Sequence, residues 1–376
     1  MFGYAKFKDR DELYALWRHC FDDSPEFTNW FFTERFLPHY CAVWVEGGRI
    51  VCAAHSLPVH VRVRDAILPA ALVAGVATLP EYRGRGIMRA MLTEHLRRLR
   101  SLGTPLVVYR PVNFAIYRSL CHYPVADKSF IALPSSAPQP EPMPGIETRL
   151  VDAEKALDAL FSVYVRATER YSACIVRSFA DFALKYRDYA ADGVKCAAAF
   201  RDGSIVGYSF FTGAARGIEC PETLAFEHSA YPALISMVAE AAGSHDITVS
   251  LPPDVFEGEM APPVPEGATL STVERTAAGV TDVCSLLRAT RADGYAVEVL
   301  DPVLPENRGV YDISGEPTNA PPRLRLDSGR LAQLVFGYRS AAELIAQGEA
   351  TPLDRTAAAE LDPLLPRRAC YCIDEY

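Results

Sequence analysis

The chain has 376 residues, of which 49% are hydrophobic and 23% charged. That balance excludes wholesale disorder, and at about 100–200 residues per domain it fits two or three domains. Asp and Glu (47) outnumber Lys and Arg (38), giving a formal net charge of −9, which excludes general binding to a nucleic-acid backbone but not a local basic patch. The longest uncharged stretch, Ala66–Pro80, is broken by Pro69 and falls short of the about 20 apolar residues a membrane-spanning helix needs. The N-terminus turns charged at once and lacks a signal peptide's apolar segment. The ten cysteines contain no CxxC pair, and Cys370 and Cys372 are the only close spacing. No metal site or disulfide framework is expected, but reduced thiols packed as small apolar side chains in a cytoplasmic protein.

In chain order, residues 9–21 and 25–36 are amphipathic and predicted helical. Glu46, Gly47 and Gly48, between strand-like runs at 41–45 and 49–55, signal a hairpin. The apolar run 71–78 is predicted as a buried central strand. After a turn at 79–86, a helix runs to about Leu102. Ile87, Met88, Met91, Leu92, Leu96 and Leu99 form its apolar face, opposite Arg85, Arg89, Arg97 and Arg100. Gly103 and Pro105 stop it. A strand at 106–109 leads to a short helix, Phe114–Leu120, with Asn113 as its N-cap.

Pro134, Pro138, Pro140, Pro142 and Pro144 then define an extended connector. The middle block has predicted helices near 152–168, 178–190 and 231–242, with strands near 194–212 and 247–251. A helical stretch from Asp282 stops before Gly294. The last block is predicted strand-rich with one clear helix, Ser340–Gln347.

The turn Arg83-Gly84-Arg85-Gly86-Ile87 lies between a buried strand and an amphipathic helix. A helix N-terminus offers unpaired N–H groups and a partial positive charge. Glycines admit a ligand close to the backbone, and arginines add forked donors. The combination suits a pyrophosphate. It is neither a Walker loop, since no Gly-Lys-Ser/Thr follows, nor a dinucleotide fingerprint.

The pattern resembles motif A (Q/R-x-x-G-x-G/A) of the GCN5-related N-acetyltransferases (GNATs), with Met88 at the sixth position. With Val76–Met91 and Phe114–Pro124, the chain resembles the enhanced intracellular survival (Eis) branch, where a bulky residue fills that position. Residues 324–349 resemble that branch's C-terminal domain, itself similar to sterol carrier protein, and the aromatic end Tyr371–Tyr376 fits too. The resemblance implies an α+β fold: a catalytic GNAT domain (1–133), a Pro-rich linker (134–145), a degenerate GNAT-like domain (146–292) and a sterol-carrier-like domain (293–376).

It further implies acetyl transfer from acetyl-CoA to a primary amine, of aminoglycoside, polyamine or lysine type, by direct attack. Val76, Ala77 and Thr78 would meet the pantetheine arm. Arg83, Gly84, Arg85, Gly86, Ile87, Met88 and Arg89 would hold the pyrophosphate, with Val112 and Asn113 on the other wall. Tyr117 matches the family's general acid, and the main-chain carboxylate of Tyr376 its general base. A homohexamer without nucleic-acid or membrane partners is implied as well.

Other residues are weaker candidates. Trp30, Phe31, Phe32 and Phe36 suit an acceptor-pocket wall, although an aromatic helix face is more often core. Glu81 is a rival base, with solvation favoured. His55, His60 and His95 show no ligand spacing, and His122 reads as structural. Asp374 and Glu375 could draw a cationic amine. Two other functions stay open on the residues alone: a non-catalytic acyl-CoA sensor, and a carrier of an apolar ligand in the last domain.

Overall fold

The computed structural model describes residues 1–140, 144–214, 217–258 and 261–375. They divide into two compact units: residues 1–126, 172–176 and 275–375 form one, and the described residues of 127–171 and 177–274 the other.

The elements of the first unit begin with β1 (Phe2–Tyr4), α1 (Arg10–Cys20), α2 (Pro25–Trp30), β2 (Cys41–Glu46), β3 (Arg49–Val63), β4 (Ala66–Thr78), α3 (Ile87–Ser101), β5 (Leu106–Tyr109) and α4 (Phe114–Tyr117). A π-helical turn, Phe31–Arg35, extends α2. The strands run in the order β1-β2-β3-β4-β5. β3 and β4 are much longer than the apolar pattern suggests, because Pro58, His60 and Pro69 interrupt it while the ladder continues to Val63 and Ala66. α3 buries Ile87, Met91, Leu92, Leu96 and Leu99 as expected, and also His95. His95 belongs there because both its ring nitrogens are satisfied, by Tyr4 Oη (2.9 Å) and Ser56 Oγ (2.7 Å).

The second unit contains most of β6 (Tyr123–Leu133), then β7 (Glu147–Val151), α5 (Leu157–Thr168), α6 (Phe179–Ala191), β8 (Lys195–Arg201), β9 (Ser204–Ala214), β10 (Gly217–Ala225), α7 (Ala230–Ala242), β11 (Ile247–Leu251) and the start of β12 (Thr269–Val280). Its strands run β6-β11-β10-β9-β8-β7. A buried Arg177–Glu222 pair, bidentate at 3.0 Å, sits at its centre, with Tyr208 and Tyr189 also donating to Glu222. A buried carboxylate so fully satisfied is a structural feature.

The end of β12 returns to the first unit, where Ala277–Val280 pair antiparallel with β5. There follow α8 (Val283–Arg288), β13 (Ala296–Leu300), β14 (Gly309–Asp312), β15 (Leu324–Asp327), α9 (Ser328–Phe336), α10 (Ala341–Ala346), β16 (Ala350–Pro352) and α11 (Ala357–Leu364). The sequence predicts only one clear helix after residue 293, and the described residues there form three α-helices. Every residue of α9 except Arg330 is buried, the polar Ser328 and Gln333 included, so its polar positions do not mark a solvent face.

Arg64, in the β3–β4 turn, anchors this region. Its buried guanidinium donates to Val335 O (2.7 Å), Leu334 O (3.0 Å) and Pro366 O (2.8 Å). Two of these carbonyls lie at the negative end of α9, where a cation is favoured. The chain after α11 is then pinned along Ser172 by Ser172 N–H to Ala369 O and Tyr371 N–H to Ser172 O. Cys370 through Asp374 are buried rather than frayed. The cysteines are all free, and most are buried. Among the described residues no helix is long and apolar enough to cross a membrane, and no group of three His, Cys, Asp or Glu could hold a metal ion.

Burial lowers the pKa of three histidines, to about 3 for His55, about 4 for His95 and about 3 for His122. Unfolded histidines titrate near ~6.5, so between there and pH ~4 the unfolded chain binds protons that the folded chain refuses. Stability must fall as pH drops through this window, by roughly 1 kcal/mol per histidine per pH unit. Denaturant melts at about pH 7 and about pH 5 test this; equal stabilities would contradict it.

Candidate active site

The site starts at a break in the sheet. β4 and β5 pair in parallel only at Ala70–Leu72 with Leu106–Val108. Beyond that point the β3–β4 register slips, from Ala53 opposite Ala77 to His55 opposite Ala74, so β4 carries one extra residue. This is a bulge, and bulges bend strands and end pairing. Gly75 sits in it with φ +55. A Cβ there would lie 2.1 Å from Trp17 Cζ3. The indole is thus packed tightly against the bulge, and only glycine permits it. Trp17 is fixed in turn by its Nε1–H bond to Asp23 Oδ2 (2.8 Å).

The splay leaves a cavity of about 370 Å³. Val73, Ala74, Gly75 and Val76 form its β4 wall, and Trp17, Phe21, Asp22 and Asp23 its α1 side. Tyr109, Arg110, Val112 and Tyr117 close it from β5 onward. Asn113 caps α4 by accepting from Ala115 N–H (2.9 Å), which fixes the direction of Tyr117. Only 9% exposed, Tyr117 packs on Tyr109 with ring centroids 4.7 Å apart. Tyr109 Oη is itself hydrogen bonded to His122 Nδ1 (2.7 Å). Burial, with a smaller push from the nearby Cys52 thiol, raises the Tyr117 phenol to about 12. Its hydroxyl has no hydrogen-bond partner among the described residues, which leaves it available to a ligand.

At the far end of β4 lies the turn singled out in the sequence. Gly84 and Gly86 both have φ +74, with nothing within 4 Å of a built Cβ. Gly86 occupies the N-cap of α3 and no side chain caps the helix. The N–H groups of Ile87, Met88 and Arg89 are therefore free of intrahelical partners, and the open space over the glycines fits an anion. Arg83 is exposed and folds back along the turn, its Nε donating to Thr78 O (3.0 Å). Arg85 pairs with Glu46 (3.2 Å) over the Tyr82 ring, and Arg89 is exposed. Thr78 donates its hydroxyl to Cys52 Sγ (3.1 Å). Ala77 is buried and Val112 is 92% exposed.

The chain's end comes to the same place. Glu375 accepts both Nε–H and an Nη–H from Arg275 at 2.8 Å, and lies 3.4 Å from Arg110 of the cavity wall. Tyr376 itself lies outside the described residues.

Other candidates fall elsewhere. Phe31, Phe32 and Phe36 surround His55 with ring centroids 5.3–5.9 Å away and do not line the cavity. They are core, and the aromatic wall is Trp17 and Phe21 instead. That pair was legible as an i, i+4 aromatic repeat ending α1. Arg110 and Asp22 carried no sequence signal. Glu81 is exposed and paired with Arg49 (3.3 Å).

Gly75→Ala should cost about 2–4 kcal/mol, through left-handed strain and overpacking on Trp17. Trp17→Ala in the same chain should recover part of the loss. Melts of the two single variants and the double variant check this; strict additivity would contradict it.

Residues 3–122 match the acetyltransferase (GNAT) domain, and residues 283–373 match the sterol carrier protein domain. The sequence matches no curated protein. Among solved structures, the chain is similar to Eis1 from Mycobacterium abscessus (18% identity, TM-score 0.79, all of both chains covered). It is also similar to GCN5-related N-acetyltransferases from Anabaena variabilis (16%, 0.81, all of both chains) and Kribbella flavida (20%, 0.78, 100% of this chain and 98% of that one). At these identities the likeness establishes the fold.

Proposed function

We propose that this chain, a GNAT acetyltransferase with a C-terminal sterol carrier protein domain, moves the acetyl group of acetyl-CoA onto a primary amine by direct attack. The observation that carries this reading is the Tyr117 phenol, protonated and unpartnered among the described residues, in a cavity at the mouth of the β4–β5 splay. The pyrophosphate belongs on the turn Arg83–Arg89, where open N–H groups and glycine backbone fit an anion, and the pantetheine along Val76, Ala77 and Thr78. Val112 and Asn113 form the opposite wall.

In this mechanism the amine must lose a proton and the departing thiolate must gain one. Tyr117 is the general acid. A phenol near 12 holds its proton more tightly than a free thiol, near ~8.5. Donation therefore starts as a hydrogen bond to sulfur, and desolvation of the thiolate, which raises its own pKa, draws the proton across.

The Tyr376 carboxylate is the general base in this reading. Its support is the preceding residue, Glu375, locked by Arg275 beside Arg110 of the cavity wall. Domain boundaries at 133, 145 and 292 belong to the same reading and rest on the Pro-rich run and the stop before Gly294; a cytoplasmic setting rests on the unpaired cysteine pattern, and a homohexamer on the resemblance alone.

Tyr117→Phe should lower kcat about 100-fold while leaving the Kd for acetyl-CoA unchanged. In the native enzyme, activity should hold to about pH 10, where an ordinary tyrosine would be half ionised. Appending one residue after Tyr376 should abolish turnover and spare acetyl-CoA binding. Full activity in either variant would remove the corresponding role.

A further inference from the structure

We infer that the acceptor is a primary monoamine on a compact aryl or alkyl body, such as an arylalkylamine, rather than a polycation. This rests on the acetyl-transfer reading above and names the substrate class of that same site.

The first argument is position. None of the residues 83–89 lines the cavity, so it lies apart from the anion turn. It reaches from the β4 bulge and Tyr117 toward the end of α1. An acceptor approaching a thioester beside Tyr117 would occupy this space.

The second is size. About 370 Å³ is near the lower end of ligand pockets, which span about 300–1,000 Å³. The acyl thioester must share it, so a compact body is what its walls can enclose.

The third is wall chemistry. Trp17, Phe21, Tyr109 and Tyr117 offer aromatic faces, and Val73 and Val76 add aliphatic surface. Such walls favour an apolar body, and aromatic faces also attract a single ammonium.

The fourth is charge. Asp22, Asp23 and Glu375 are the carboxylates here. Arg275 engages Glu375 in a bidentate bond, and Arg110 stands between Glu375 and the cavity. Asp23 is held by Trp17. Arg18 stands against the backbone of Asp23. Asp22 has no ion pair or hydrogen bond among the described residues, and it is the cavity carboxylate left to draw an ammonium. One ammonium is drawn in, and Arg110 and Arg275 repel a second. Specificity by repulsion is as effective as added attraction.

The test is thiol release by the full-length enzyme with saturating acetyl-CoA and 2-phenylethylamine, hexylamine, spermidine or kanamycin. The expected result is a kcat/KM for 2-phenylethylamine at least about tenfold above that for spermidine or kanamycin, within the range pocket chemistry supplies. Equal or better turnover of the polycations overturns the inference and leaves acetyl transfer standing. Tight acetyl-CoA binding without thiol release for any amine overturns acetyl transfer itself, and the inference with it.

Arg275→Gln, which lies behind the cavity wall, should shift the spermidine-to-phenylethylamine ratio about fivefold toward spermidine, the size expected of one partly exposed charge. Arg110→Gln should shift it the same way. An unchanged ratio in both variants contradicts the charge argument.

Discussion

The site depends on one steric fact: an indole occupies the place where residue 75 would carry a side chain. Trp17 lies against the backbone of β4 so closely that only glycine fits. The strand bulges there and parts from β5. Once parted, the two strands no longer offer their facing backbone groups to each other. Such groups demand partners, and an extended amide-bearing ligand can supply them. The opening, the cavity and the line of sight to Tyr117 all follow from that wedge.

A second constraint ties the chain's end to this opening. The terminal segment has no regular structure of its own, yet Cys370–Asp374 are buried. Arg64 organises its approach by capping α9 and holding Pro366, and Ser172 pairs with the segment that follows. The final lock is the Arg275–Glu375–Arg110 cluster. The sterol-carrier-like region thus has a physical role at the cavity whether or not it carries a ligand: it delivers residue 375 to the cavity wall.

Much of this was legible in the sequence, and the rest failed for identifiable reasons. The turn at 83–89 could be read because glycines and arginines between an apolar run and a 3.6-residue period have few structural excuses. The Asn113 cap of α4 was legible because a capping residue declares itself locally. The aromatic run 30–36 was better read as core than as a wall, and Phe31, Phe32 and Phe36 do pack around a buried histidine, but nothing local in the run named His55. The lengths of β3 and β4 were hidden by prolines and exposed polar residues. α9 was hidden because its polar Ser328 and Gln333 are buried along with its apolar residues, so its pattern does not match a solvent-facing helix. The bulge at Gly75 left no local signature, because the cause of that glycine is Trp17, far away in the chain.

The most direct measurement is a crystal structure with a non-hydrolysable thioether analogue of acetyl-CoA. The account predicts a pyrophosphate on the N–H groups of residues 84–89 and a sulfur within about 3.5 Å of Tyr117 Oη. A ligand bound outside the β4–β5 splay, or a sulfur on the far side of the sheet from that hydroxyl, would contradict it.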